Sequence, residues 1–421
     1  MTERTVGRAL SGLVLVCLAG VPATAQQASA VTVRGDVSVA GAVYPVGDTV
    51  SELRSRVRVE ATADPAPWLR LKLDTTAEGL LADRGAAVDD VAVRVREAWA
   101  EVKAGPTEWR AGYGRLVWGR LDEIMPSDVL NPIDTAKYFL EGRAEARLPV
   151  AFVRGRAFVT DATTLEVLAS IPGRRGRFDE LDEPSSPFNL LRDVVLPAGA
   201  SGQLRREEPA TGWGTMQGGA RLSSTFGRVD VGGAVYSGYG SFGTVSFEPS
   251  FLLVPVTPAV VGELVERYER FTMVAADAET VRGPWALRAE GAWVSSGRDA
   301  VDIGVGADRS AGDYRVFTSV VWHRDWTGDG SAAALAPNND LSVIGSVERA
   351  FARERYRVRV FGVVNPVDES GFARALASWN VRDNLSAELS GGMFFGDGTG
   401  TDNLSRFTDR DFAFARIRWF F

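Results

Sequence analysis

The single histidine, His323, stands in the run VVWHRDW two residues before Asp325. A histidine beside a carboxylate is the smallest arrangement that could act as a general base with an orienting partner, and so support hydrolysis. A lone histidine at the end of a strand-like run is more ordinarily an interfacial polar residue, and no catalytic residue is assigned. The only cysteine is Cys17 and there is no second histidine, so a zinc set would have to come almost wholly from carboxylates. No glycine-rich phosphate loop stands between a strand pattern and a helix pattern. Neither metal nor cofactor is expected.

What the sequence does repeat is charge at every second position. Arg54, Arg56 and Arg58 form one row; Arg94 and Arg96, then Arg355, Arg357 and Arg359, then Arg416 and Arg418 form others. A second group of charges lies in RLDEIMPSDVLNPID, which carries Asp122, Glu123, Asp128, Asn131 and Asp134 and is stiffened by Pro126 and Pro132. Charge arranged this way recognises and steers solutes; it performs no covalent chemistry.

A spacing of two belongs to β-strands, whose successive side chains point to opposite faces. The run FAFARIRWFF places Ala413, Ala415, Ile417, Trp419 and Phe421 on one face and Phe412, Phe414, Arg416, Arg418 and Phe420 on the other. Val31, Val33, Val37 and Val39, then Leu53, Val57 and Val59, then Leu69, Leu71 and Leu73 alternate with charged or polar neighbours in the same way. The pattern recurs through about 18 segments, with 16 as the alternative because 299–309 is weak. Stretches such as AGP (104–106), GR (227–228) and RDN (382–384) are tight turns, whereas 118–145, 172–212, 240–265, 324–339 and 396–409 are long and irregular. The fold expected is an all-β transmembrane antiparallel up-and-down barrel over 26–421, with short periplasmic turns and long extracellular loops. Within it, 118–145 is a possible lumen-constricting loop and 172–212 a long outer loop. Trp109, Trp285, Tyr356 and Trp419 would lie near the periplasmic strand ends, where amphipathic rings suit the headgroup level.

Arg4 and Arg8, the short apolar run ALSGLVLVCLAG and the ATA before Gln26 read as a secretory signal over residues 1–25. No run of about 20 uncharged apolar residues offers a membrane-spanning helix. The formal charge of −7 argues against a nucleic-acid binder. Alternation begins at Val31, leaving no room for a plug domain.

The segments GRLVWGRLDEIMPSDVLNPID (114–134), RLPVAFVRGRAF (147–158) and GPWALRAEGAW (283–293) together resemble an uncharacterised family of bacterial outer-membrane barrels, a domain of unknown function distantly similar to alginate-export porins. The resemblance is sharpest at Trp118, Gly119, Asp128, Asn131, Pro132 and Asp134. It implies a barrel in the outer membrane of a Gram-negative bacterium and names no substrate. The terminal Ile417, Trp419 and Phe421 likewise resemble the signal by which such barrels are read by the barrel assembly machinery.

On the strands, Asp36, Glu60, Asp74, Glu97, Glu101, Glu290 and Glu388 share the arginine face. Many other acids lie in the loops, as in FDELDE (178–183), which leaves the wall an arginine surplus. The expectation is a porin-like channel passing small polar or anionic solutes by diffusion, with outer-membrane lipid and lipopolysaccharide as its surroundings. A loop-based binding or structural protein, an accessory barrel of an export system and a rim-located hydrolase are the alternatives. The solute, oligomeric state and genetic partners are not written in the sequence.

Overall fold

In a computed structural model, residues 31–45, 50–173, 175–192, 200–252, 259–296, 299–326, 339–397 and 404–421 are described; the signal at 1–25 lies outside them. Eighteen strands close into one antiparallel sheet. They are β1 (Val31–Tyr44), β2 (Val50–Ala66), β3 (Leu69–Asp83), β4 (Ala87–Ala104), β5 (Thr107–Gly114), β6 (Val150–Thr160), β7 (Thr163–Ser170), β9 (Gln217–Phe226) and β10 (Val229–Tyr239), followed by β13 (Arg270–Arg282), β14 (Trp285–Ser295), β15 (Asp299–Ala311), β16 (Tyr314–Asp325), β17 (Asn339–Phe351), β18 (Tyr356–Asn365), β19 (Ser370–Arg382), β20 (Leu385–Phe395) and β21 (Phe412–Phe420). Neighbours pair in chain order, and β21 returns to β1 through Asp36↔Phe420 to Val43↔Ala413. Main-chain bonds between Gly35 and Phe421, in both directions, extend that seam. Closure removes the hydrophobic edge that FAFARIRWFF would otherwise present.

The alternation sorts the two faces as the sequence predicts. Val31, Val33, Val39, Leu53, Leu71, Leu73, Ile417 and Trp419 point outward and are exposed, while Asp36, Arg56, Glu60 and Asp74 are buried within. An apolar outer band is what lipid demands of a strand whose backbone is already paired. At one end the strands join through turns of two to four residues, and there Phe351, Tyr356 and Trp379 stack side by side on the outer face. This is the aromatic level expected at a headgroup boundary.

One row required a change of phase. Arg94 and Arg96 on β4 share a parity, yet Glu97 and Glu101, of the opposite parity, are expected on the same inner face. A bulge resolves the conflict: Asp74 faces Glu97 while Thr75 faces Val95, so Arg96 is the extra residue. Arg96 then reaches Glu145 at 2.8 Å and Glu97 reaches Lys72 at 2.8 Å, both inside.

Two expectations are corrected. The irregular stretch expected over 118–145 is longer at both ends, since β5 stops at Gly114 and β6 begins at Val150, because the chain between them turns into the lumen. The stretches 172–212 and 240–265 are not wholly irregular: β8 (Ala200–Glu207), β11 (Thr244–Leu252) and β12 (Ala259–Arg267) make a separate three-stranded sheet, with β8 and β12 parallel. Arg206–Glu266 at 3.0 Å and Arg267–Glu207 at 2.8 Å brace it. Prolines in EPSFLLVPVTPAVV hid β11 and β12, since proline in a run argues against pairing.

Candidate functional site

The chain leaves the wall after Gly114 and crosses the lumen before rejoining it at Val150. Asn131 closes the neck of this excursion: its Oδ1 accepts from Leu116 N at 2.8 Å and its Nδ2 donates to Leu148 O at 2.6 Å. Trp118 follows, donating its indole N–H to Glu166 at 2.7 Å and meeting Tyr236 edge-on at 6.1 Å. Gly119 has φ near 100°, and a Cβ there would lie 2.9 Å from Glu290 Oε1. That positive φ and close approach both require glycine.

Glu290, on β14, is the main tether. Its Oε2 accepts from Arg120 N at 2.8 Å and Leu121 N at 3.2 Å, and its Oε1 accepts from Ser127 N at 2.7 Å and Ser127 Oγ at 2.6 Å. A charged wall residue therefore satisfies backbone donors that helices or strands would otherwise have to pair. Arg120 adds ion pairs to Asp277 and, at 3.0 Å, to Glu279.

Further along, Asp134 caps a short helix, α1 (Thr135–Glu141), accepting from Lys137 N at 2.9 Å. A second, α2 (Arg143–Ala146), follows directly. Phe139 on α1 is held among Phe188 (5.4 Å), Phe372 (5.0 Å), Phe394 (4.9 Å) and Phe407 (5.1 Å) between ring centroids. This cluster also takes in Tyr44, Phe412 and Phe414 from the seam strands. The inner face of β21 therefore changes from aromatic, where the excursion packs against it, to Arg416, which still meets Glu141 of the excursion, and Arg418. A second apolar cluster packs Leu116, Trp118 and Leu130 on Phe271 and Met273, and a third packs Leu121 on Phe317 and Ile344.

The segment 177–188 of the expected outer loop is drawn in as well. Asp179 meets Arg54 at 2.7 Å and Arg84 at 3.1 Å, Glu180 meets Lys137 at 2.9 Å, and Phe188 is fully buried. Asp179 thus returns to a wall arginine, while Glu180 serves Lys137 of the inserted loop and Glu183 serves Arg175 and Arg206. Electrostatics follow the pairing. Burial alone would raise the Asp179 carboxyl, but Arg54 and Arg84 hold it down at about 2. Glu141, partly buried, is likewise held below the usual range against the effect of burial by Arg56 and Arg416. Asp134 goes the other way: burial, with Asp179 and Glu180 nearby, raises it to about 8 against the pull of Lys137.

The assigned residues fall into distinct positions. Arg54 and Arg56 lie beneath the inserted segments, Arg56 bonding Glu141 at 3.1 Å. Arg58 pairs with Asp74 at 2.7 Å, Arg416 with Glu388 at 2.7 Å and Arg418 with Asp36 at 3.6 Å. Arg357 and Arg359 are on the inner face, 3.5 Å from Glu348 and 3.1 Å from Glu123. Arg355 is not on the strand: it sits in the exposed turn 352–355, bonding Ala352 and Asn380 through its backbone. Asp128, Asn131 and Asp134 are buried scaffold, with Asp128 serving both Arg143 (2.8 Å) and Arg147 (2.7 Å). Asp122 and Glu123 reach the open space. That space, about 330 Å³, lies between the excursion and β16–β18, bounded by Arg143, Arg147, Arg315, Phe317, Glu348 and Arg359. Sequence reasoning missed Arg143, Arg147 and Arg315, whose spacing marks no row. His323 bonds Asp302 across strands at 2.8 Å rather than Asp325. Ile417, Trp419 and Phe421 share the outer face, with Trp419 5.5 Å from Phe421 between ring centroids.

No family model and no curated protein matches the chain. Among solved structures it resembles OccAB4 of Acinetobacter baumannii, at 8% identity and TM-score 0.53, covering 94% of this chain and 99% of that one. OccK2 (OpdF) of Pseudomonas aeruginosa, in complex with glucuronate, matches at 10% identity and TM-score 0.52, covering 93% and 96%. OccD3 (OpdP) of the same organism matches at 8% identity and TM-score 0.51, covering 94% and 92%. At such identities the likeness is one of fold, a closed antiparallel β-barrel. It does not single out the alginate-export porins.

Proposed function

We propose that the protein is a diffusion channel of a Gram-negative outer membrane, passing small polar and anionic solutes. One observation carries the reading: an inserted loop, tethered across the barrel, leaves an opening of about 330 Å³ lined by charge, with Arg143, Arg147, Arg315 and Arg359 on its rim beside Asp122, Glu123, Glu141 and Glu348. Arg143 and Arg147 share the single carboxylate Asp128, so that corner keeps positive charge that the other pairs cancel. A low-dielectric wall focuses such charge on a narrow passage. A neighbouring fold, OccK2, is seen with glucuronate, a small carboxylate sugar, which fits the same size and sign. The constricting role of 118–145 is part of this proposal, as is reading of Ile417, Trp419 and Phe421 by the assembly machinery. Purified protein in planar bilayers should give discrete conductance steps, reduced by millimolar glucuronate. Silence from protein with heat-modifiable gel mobility would replace the channel by a loop-based binding protein.

A further inference from the structure

The excursion into the lumen leaves the wall incomplete. β3 covers one edge of β4 from Ala87 to Val102. On the other edge β5 covers only Ala98 to Ala104, and among the described residues no strand pairs with 87–97. The reason is that β5 has eight residues, fewer than the roughly 9–11 a tilted strand needs to cross a bilayer. Beyond Gly114 its chain has gone inward. Yet Val91, Val93 and Val95 still face outward, and Val93, at 73%, is the most exposed large apolar side chain on the described barrel strands. Those valines mark lipid depth, while Asp89 and Asp90 above them mark its end. Unpaired backbone groups at that depth cost several kcal/mol each unless something polar reaches them.

The gap is an opening of about 600 Å³. Its outer lip is Val93, Val95, Ala98 and Tyr113, the last paired directly with Ala98; its inner lip is Arg94 and Arg177. Arg94 faces the lumen by parity, and its Nε is buried with no hydrogen-bond partner. An apolar outer lip backed by guanidinium groups is complementary to one kind of molecule. We propose that this lateral gap binds a single-chain anionic amphiphile, its head against Arg94 and Arg177 and its alkyl chain along Val93, Val95 and Ala98. The head would also reach the unpaired β4 edge, which lipid tails alone cannot satisfy. Carboxylate and phosphate heads share this chemistry, so a free fatty acid and a lysophospholipid are its two sources.

The test is a binding titration of the full barrel in neutral detergent with a dansyl-labelled fatty acid, independent of any conductance. Saturable binding at one site per chain is expected, displaced by palmitate but not by hexanoate, and weakened about tenfold or more by Arg94→Gln. Displacement by palmitate alone identifies the free acid, and by lysophosphatidylglycerol alone the membrane lipid; either supports the site. A second measurement does not depend on that variant. Maleimide labelling of Val93→Cys should slow when palmitate is bound, while Leu389→Cys, on a lipid face of β20, should be unaffected. Non-saturable binding, equal displacement by hexadecanol, an unchanged affinity in folded Arg94→Gln, or equal protection of both cysteines would overturn the proposal.

Discussion

Replacing Glu290 with alanine isolates the tether from the barrel that carries it. The carboxylate accepts from three backbone donors, Arg120, Leu121 and Ser127, and from the Ser127 hydroxyl. A buried donor left unpaired costs roughly 1–3 kcal/mol, and the hydroxyl can rotate to another acceptor. Three orphaned donors at the low end amount to about 3 kcal/mol, a factor on the order of 10² in the docking equilibrium of the loop. The ion pairs of Arg120 with Asp277 and Glu279 remain, so the loop should loosen rather than leave. Strand β14 keeps its ladders to β13 and β15, and the barrel should retain its heat-modifiable mobility. Single-channel recording should then show larger and noisier conductance, with Glu290→Gln intermediate because an amide keeps one acceptor. Folded Glu290→Ala with the conductance and noise of the wild type would refute the reasoning that this loop limits the passage.

Phe139→Ala should remove the ring at the centre of the aromatic cluster at a cost of about 3–5 kcal/mol, exposing the Arg143 and Arg147 bonds to trypsin in an otherwise folded barrel; unchanged resistance would show that α1 is held by its ion pairs instead. Arg315→Gln with Arg359→Gln should roughly halve the anion-to-cation permeability ratio at low salt, with the difference fading as salt rises past a Debye length of about 10 Å; an unchanged reversal potential would move selectivity elsewhere. Asp134 sits at about 8 when docked, against an ordinary carboxylate value of 3.8, so the docked loop holds a proton that an undocked one releases. Docking is thus favoured in acid and weakens as pH rises through 8, and trypsin cleavage at Arg143 should accelerate from about pH 6 to about pH 9. Asp134→Asn, which keeps the cap acceptor, should flatten that profile; an equally steep profile in the variant would assign the effect to another group.

Much of the barrel could be read from spacing alone because alternation is forced at every lipid-facing position. Val31 to Val39, Leu53 to Val59 and Ala413 to Phe421 each declare their faces without help from tertiary structure. The β4 bulge could be suspected only from a conflict of parity between Arg96 and Glu101. The lumen was less legible. Phe412 and Phe414 occupy the face that also carries Arg416 and Arg418, and periodicity cannot tell a residue facing water from one facing an inserted loop. Helix α1 was hidden because its seven residues are too few to show a period, and its cap, Asp134, looks by type like one more acid of the constricting loop. The residues of the sharpest resemblance prove to be the loop's own scaffold: Trp118, Gly119, Asp128, Asn131 and Asp134 each hold its path.

That outcome changes what sets selectivity. Counting charge by segment puts more arginine than acid on the wall and many acids in the loops, and predicts an arginine surplus facing the lumen. Folding returns the acids: Asp179 to Arg54, Glu141 to Arg56 and Arg416, Glu145 to Arg96, Glu123 to Arg359. A paired charge at about 3 Å presents a dipole whose field falls off faster than that of a lone charge, so most of the wall contributes little to a passing ion. Unequal pairing is what survives. Two arginines on one aspartate at Asp128, and Arg315 with only Asp308 at 3.3 Å on an exposed rim, lie at the same opening. Selectivity should therefore respond to changes at Asp128, Arg143, Arg147 and Arg315 more than to changes in the buried arginine rows. Those rows act first to hold the loop in place, and reach the solute only through it.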